Sequence, residues 1–247
     1  MADEHEEVKT VDAVGPESFL QASRRPVQPP RPGEQVLVLG LGRFGAAVGA
    51  ELVRLGMEVL GVDSDPKVVQ RSASLLTYVV EGDVTNVEVL RQLGAEEVRH
   101  AVVGIGHIEA SVLATAALDD LGVASIWAKA VNRQHGRILE RVGAHHVVYP
   151  EHDIGHRVAH VLGGRMLEWF QLDERFAMVE TRVPRELVGK SLADVGVRAR
   201  YDVTVVCVKH GDEPFTYATP DTVLERGDVL VVAGETAAAE AFARLPS

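Results

Sequence analysis

The stretch that most constrains this chain is Gln35–Gly49, QVLVLGLGRFGAAVG. An apolar run leads into Gly40-Leu41-Gly42-Arg43-Phe44-Gly45, which fits G-x-G-x-x-G, and a helical pattern follows. An acid, Asp63, stands with Ser64 at the end of the next apolar run, EVLGVDSD. Strand, glycine turn, helix and a later acid together make a nucleotide-binding fingerprint. Gly40 permits the tight turn. Gly42 lets backbone N–H groups approach phosphate oxygens, and Gly45 lets the helix pack on the strand. The phosphate then meets a helix N-terminus, where free N–H groups and the helix dipole favour an anion. The alternative is a glycine turn that serves packing alone.

Around this loop the texture alternates. QVLVL, EVLGV, TYVV, AVVGI, ASIWAKA and HHVVY read as strands, with helical patterns between them. Several of those helices end at a glycine: Gly56, Gly94, Gly122 and Gly143. Strands apolar throughout predict a parallel sheet covered on both faces, an α/β Rossmann-like doubly wound fold. Asp153–Leu172 carries Ile154, Val158, Val161, Leu162, Met166 and Leu167 at helical spacing, interrupted at Gly163-Gly164, and reads as a crossing connector. Beyond Arg175, strand-like and short helical runs predict a small α+β domain. Four regions are expected: a proline- and arginine-rich mobile tail over 1–33, a nucleotide-binding domain over 34–152, a crossover helix and linker over 153–174, and a ligand-binding domain over 175–247.

Composition narrows the function. A formal net charge of -11 over 247 residues works against nucleic-acid binding. No run of roughly 20 apolar residues offers a membrane span, and the acidic, polar start differs from a secretory signal. A cytoplasmic protein is expected. Cys207, the one cysteine, sits in VTVVCVK and reads as a buried core thiol.

The crevice at the strands' carboxyl ends supplies further candidates. Asp63 would accept hydrogen bonds from a ribose diol and repel a 2′-phosphate. Arg43 could clamp phosphates, which suits a terminal polyphosphate such as ADP or ATP. Asp83, with the Val84 backbone, either reads an adenine amino group or merely caps the following helix. Ile105, Gly106 and His107 bring backbone close to the crevice. Lys129 and Glu151 follow the fifth and sixth strands, and Glu151 beside a polyphosphate would need a cation such as Mg²⁺. His152, His156 and His160 recur every four residues, as a solvated or interfacial stripe or as metal ligands. His135, His145 and His146 read as surface residues. No tyrosine has a lysine four residues later, and no substrate domain is evident. These features argue against an enzyme. A small NAD-dependent oxidoreductase and a redox-sensing NAD(H)-binding regulator are the alternatives.

The stretches VLGLGRFGAAVGAELVRLGMEVLGVDSD, IWAKAVNRQHGRILERVGAHHVVYPEHDIGHRVA, VRARYDVTVVCVKHGD and PDTVLERGDVLVVAG resemble the RCK or KTN family, the gating subunits of Ktr/Trk-type potassium uptake systems. The resemblance covers roughly 34–245. It implies a first domain that binds ATP, ADP or NAD(H), with Gly40, Gly42, Arg43, Gly45 and Asp63 matching the binding motif. It also matches Lys129 to a crevice lysine and Glu151 to a glutamate that meets the γ-phosphate region with a divalent cation. It implies a crossing helix exchanged between protomers, dimers assembled into an octameric ring, and a membrane K⁺-translocating partner. It further implies a second domain that binds cyclic di-AMP in some members, with Arg198 and His210 as candidates here.

Overall fold

The structure is a computed structural model that describes residues 28–163, 166–173 and 175–247. It divides into two compact units, with the boundary between Asp153 and Ile154. Residues 1–27 of the tail expected over 1–33 lie outside the described residues.

The first unit begins β1 (Gln35–Leu39), α1 (Arg43–Arg54), β2 (Glu58–Asp63), α2 (Pro66–Ser72), β3 (Tyr78–Glu81) and α3 (Val87–Gln92). It continues β4 (His100–Val103), α4 (Ile108–Asp120), β5 (Ser125–Lys129), α5 (Arg133–Arg141) and β6 (His146–Val148). The six strands pair in parallel in the order β3-β2-β1-β4-β5-β6, the Rossmann arrangement. Strand periodicity sorts the side chains onto two faces. Leu37, Leu39, Leu60, Val62, Ala101 and Val103 pack on one, and Val36, Val38, Val59 and Val102 on the other.

Local signals start and stop the helices. Asp65, Asn86 and Asn132 cap α2, α3 and α5, accepting from the N–H groups of Lys67, Glu88 and His135 at 2.8, 3.0 and 2.8 Å. The expected stop glycines Gly56, Gly94, Gly122 and Gly143 all have positive φ.

Three sequence expectations need correction here. Gln28–Gly33 was expected to continue the mobile tail, yet its end is tied to the unit. Gly33 N donates to Gly56 O at 2.8 Å, and Pro30 lines an apolar cavity. His135 was expected at the surface but is buried, 1% exposed. It follows a helix cap, and its Nδ1 accepts from Val131 N at 3.3 Å. Its polar periodicity hid a side chain turned inward. His145 and His146 are half-buried rather than exposed, and His146 stacks on Trp127 at 4.0 Å.

The division between units falls within α6 (Pro150–Gly163). The second unit continues β7 (Met166–Gln171), β8 (Phe176–Arg182), α7 (Leu192–Val195), α8 (Val197–Tyr201), β9 (Val203–Lys209), β10 (Thr216–Tyr217), β11 (Val229–Glu235) and α9 (Thr236–Ala243). Its sheet is antiparallel in the order β10-β9-β11-β8-β7. Leu230, Val232, Val208 and Phe242 are among its core residues.

Two further expectations change. Met166 and Leu167 do not extend the apolar helix face. They open β7, which pairs with β8 and buries Met166 and Trp169. The run MLEWFQ satisfies sheet burial better than a helix stripe, because its aromatic residues suit a pleated surface. Cys207 is half-buried rather than buried, standing on β9 opposite Tyr217 and Val231.

Candidate nucleotide crevice

Strand order reverses between β1 and β4, and in open α/β sheets ligands bind outside the strand carboxyl ends at that point. Three glycines interlock there. Gly40 has φ +85° and donates its N–H to Val62 O at 2.8 Å. A β-carbon on Gly45 would overlap the Gly40 carbonyl oxygen, and one on Gly104 would lie 2.9 Å from that same oxygen. These contacts hold α1 tightly on the sheet. Gly42 differs: it precedes α1, no side chain caps that end, and a β-carbon there would meet no protein atom within 4 Å. The opening lies before a helix N-terminus whose first N–H groups lack intrahelical acceptors. An anion fits that chemistry.

Asp63 is fixed beside this opening. Its Oδ2 accepts from Leu41 N at 2.7 Å and its Oδ1 from Asp65 N at 2.9 Å. Two N–H donors orient the carboxylate and leave lone pairs for a ligand hydroxyl. Ser64, next to it, is exposed.

Lys129 and Glu151 come together. Lys129 Nζ lies 2.5 Å from Glu151 Oε1, with the lysine side chain 13% exposed and the glutamate 65%. That hydrogen bond holds the Glu151 carboxyl below its ordinary range. Burial opposes this to a lesser degree, and the charges of Lys129 and Arg43 add smaller contributions that lower it further. Arg43 itself is exposed at the start of α1. Arg43, Lys129 and Glu151, far apart in sequence, therefore share one electrostatic environment.

Other expected residues serve the site less directly. Phe44 packs its ring in the apolar cluster with Val36 and Val38, leaving its backbone to the crevice. Val84 buries its side chain in the opposite core. Asp83 is exposed and makes a local turn. Its Oδ1 accepts from Thr85 Oγ1 at 2.7 Å and Thr85 N at 3.0 Å, which hold its carboxyl below the ordinary range. Asn86, rather than Asp83 or Thr85, caps the following helix. Ile105 abuts Gly40, Gly106 faces open space, and exposed His107 precedes α4 with no side-chain cap.

The histidines at 152, 156 and 160 do not act alike. His152 is exposed and His156 half-buried. His160 stacks on Trp169 at 4.1 Å, with Nδ1 3.2 Å from Glu240 Oε1. In the second unit Arg198 lines a cavity of about 420 Å³ with Leu192, Val197, Thr204 and Pro220. His210 is not among that cavity's lining residues; it stands beside Asp228. Sequence reasoning missed the Gly40–Gly45–Gly104 interlock as a unit and the wall around Arg198. Only the first left a trace, the glycine ending each of two neighbouring strands.

Comparison with known proteins agrees with this architecture. Residues 36–150 match the TrkA-N domain family and residues 178–247 the TrkA-C domain family. Ktr system potassium uptake protein C of Bacillus subtilis (strain 168) is 36% identical over 203 residues, spanning 81% of this chain and 92% of that protein. Among solved structures, the GsuK RCK domain aligns with a TM-score of 0.62 at 18% identity, over 94% of this chain and half (50%) of that one. The GsuK channel bound to NAD aligns with a TM-score of 0.60 at 19% identity, over 92% of this chain and 40% of that one. At these identities the structural likeness is one of fold. No helix among the described residues is long and apolar enough to cross a membrane. With a TrkA-N domain followed by a TrkA-C domain in the fold of an RCK module, the chain belongs to the family of Ktr potassium uptake proteins.

Proposed function

We propose that this chain is the cytoplasmic regulatory subunit of a potassium transporter, and that it senses ATP against ADP in the crevice of its first unit. The observation that carries this reading is the open N-terminus of α1 at Gly42, flanked by oriented Asp63 and by the Arg43, Lys129 and Glu151 charges. The helix end takes a diphosphate and Asp63 takes the ribose. A third phosphate reaches Arg43, and a divalent cation held by Glu151 offsets the added charge. A bound Mg²⁺ would supply that charge neutralisation, and the exposed Glu151 carboxylate is the oxygen donor suited to it. Only unequal affinity for two conformations lets a nucleotide shift their balance, and a coupling of about 1–3 kcal/mol is typical. No phosphate needs to be cleaved.

The working assembly is a dimer that builds a larger ring, with an octamer as the expected size. On α6, Ile154, Val158 and Leu162 recur every four residues and are 54, 48 and 80% exposed. The first unit has an apolar cavity of about 360 Å³ lined by Phe44, Val48, Val102, Trp127 and Val148. A helix stripe from a second copy would bury both surfaces. The resulting ring would act on a membrane K⁺-translocating partner. The cavity beside Arg198 is the candidate cyclic di-AMP site; His210 lies apart from it.

A thermal-shift series with ATP, ADP, NAD, NADH and cyclic di-AMP, each with and without Mg²⁺, tests the assignment. ATP and ADP should each raise the melting temperature. A shift with NADH alone would favour NAD(H) as the ligand instead, as in the NAD-bound GsuK channel. Steady ATP hydrolysis at enzymatic rates would contradict sensing without chemistry.

A further inference from the structure

The second unit carries a cluster that neither the nucleotide crevice nor the Arg198 cavity uses. We propose that His210, Glu225 and Asp228 form a divalent-cation site suited to a borderline first-row metal such as Zn²⁺. His210 directly follows β9, and Glu225 and Asp228 lie in the turn that enters β11. Antiparallel pairing of β9 with β11 sets Lys209 opposite Val229, which carries the neighbouring His210 and Asp228 into register. One donor atom from each of the three residues lies within 4.8 Å of the others.

The geometry suits a metal better than a solvated charge cluster. Asp228 is 1% exposed, and its Oδ2 is oriented by Glu225 N at 2.7 Å. His210 Nδ1 lies 3.0 Å from that same Oδ2 but without hydrogen-bond alignment. The nitrogen is shielded from solvent and has no hydrogen-bond partner. A buried, unsatisfied ring nitrogen is costly, and a metal ion satisfies it through its lone pair. Tetrahedral Zn²⁺ bonds of about 2.0–2.2 Å place neighbouring ligand atoms roughly 3.3–3.6 Å apart. The His210–Asp228 spacing of 3.0 Å is a few tenths of an ångström short of that range, and a small rotation of the part-exposed His210 ring opens it. Exposed Glu225 has the rotamer freedom to complete the set. One imidazole and two carboxylates suit Zn²⁺ or its first-row neighbours over Ca²⁺ or Mg²⁺, which prefer all-oxygen shells. Three protein ligands leave a position open to water. An ion there would clamp the end of β9 to the start of β11.

The test is Zn²⁺ titration of the full nucleotide-free chain by calorimetry, with Co²⁺ substitution to read the ligand field. One equivalent should bind and raise the melting temperature. His210→Gln and Glu225→Gln should each weaken Zn²⁺ at least tenfold, while His156→Ala on α6 should leave it unchanged. Glu225 is exposed, so Glu225→Gln keeps the readout even if His210→Gln proves unstable. Absence of Zn²⁺ binding would overturn the proposal. So would binding indifferent to Glu225→Gln, or binding that disappears with His156→Ala. Because the site is remote in sequence from the glycine loop, this result is independent of the nucleotide assignment.

Discussion

The Lys129 ammonium and the Glu151 carboxylate meet at 2.5 Å, and the cation is the buried partner: 13% of its side chain is exposed, against 65% for the glutamate. A phosphate approaching this lysine therefore competes with a carboxylate that is free to swing away. Removing that competitor should help a bare nucleotide and hurt a cation-loaded one. Glu151→Gln is expected to tighten Mg²⁺-free ATP about tenfold and to abolish the gain from Mg²⁺. Charge-assisted bonds of about 1.5–3 kcal/mol set that scale. Calorimetry with and without Mg²⁺ reads both effects.

Two glycines of the loop should respond oppositely to alanine. Gly45→Ala drives a methyl into backbone and should cost about 1–3 kcal/mol of stability. Gly42→Ala meets no protein atom, so stability should stay within about 0.5 kcal/mol. Its methyl instead occupies the phosphate approach, and nucleotide affinity should drop tenfold or more. Denaturant melts and binding isotherms on the same samples separate the two outcomes.

Asp63→Ala strips Leu41 N and Asp65 N of their acceptor. Leu41 is buried, 2% exposed. The expected loss is about 1–3 kcal/mol of stability, together with weaker binding of any ribonucleotide. Asp63→Asn, which retains one acceptor oxygen, should recover part of the stability but not the affinity.

Mild acid should destabilise the chain through its histidines. Burial holds His100, His135 and His146 below their ordinary value of 6.5; Arg99 and His145 reinforce this at His100 and His146, and Glu34 partly opposes it at His100. Below pH 6.5 the unfolded chain takes up protons that the folded chain refuses, so stability falls as pH falls through that value. Above it these groups contribute no slope. His135→Gln should flatten the dependence of melting temperature on pH between about 7.5 and 5.5. An unchanged slope would remove His135 from the account. The depressed carboxyls of Glu151, Asp83 and Glu186 act in a lower window, their contribution being lost as pH falls through their lowered values.

Leu162, the most exposed large apolar residue of α6, gives the assembly test. Leu162→Asp should yield a smaller species by light scattering with an unchanged far-ultraviolet spectrum. Retention of the full assembly would separate α6 from the interface.

Much of the first unit was legible because parallel strands buried on both faces leave unbroken apolar runs, and glycines with positive φ mark the helix ends. The connector was harder. Met166 and Leu167 match helical spacing from Ile154, but pairing with β8 overrides that periodicity. His135 misled for a related reason: its polar neighbours on α5 dominate the pattern, while burial depends on which way one turn faces. Arg43 was named from the glycine loop, and Lys129 and Glu151 individually from strand ends. Their shared environment depends on β5 and β6 lying beside each other, which spacing alone does not reveal. The His210–Glu225–Asp228 grouping rests on the β9–β11 register and had no signature in the linear order.

The central claim is that the crevice reports nucleotide identity through shape, without transforming the nucleotide. Small-angle scattering of the assembled protein in saturating Mg²⁺-ATP and in saturating ADP, with free phosphate assayed in the same samples, tests it directly. Two distinct profiles, each stable while the ATP stays intact, are the predicted result. Identical profiles, or a change that appears only as phosphate is released, would contradict it.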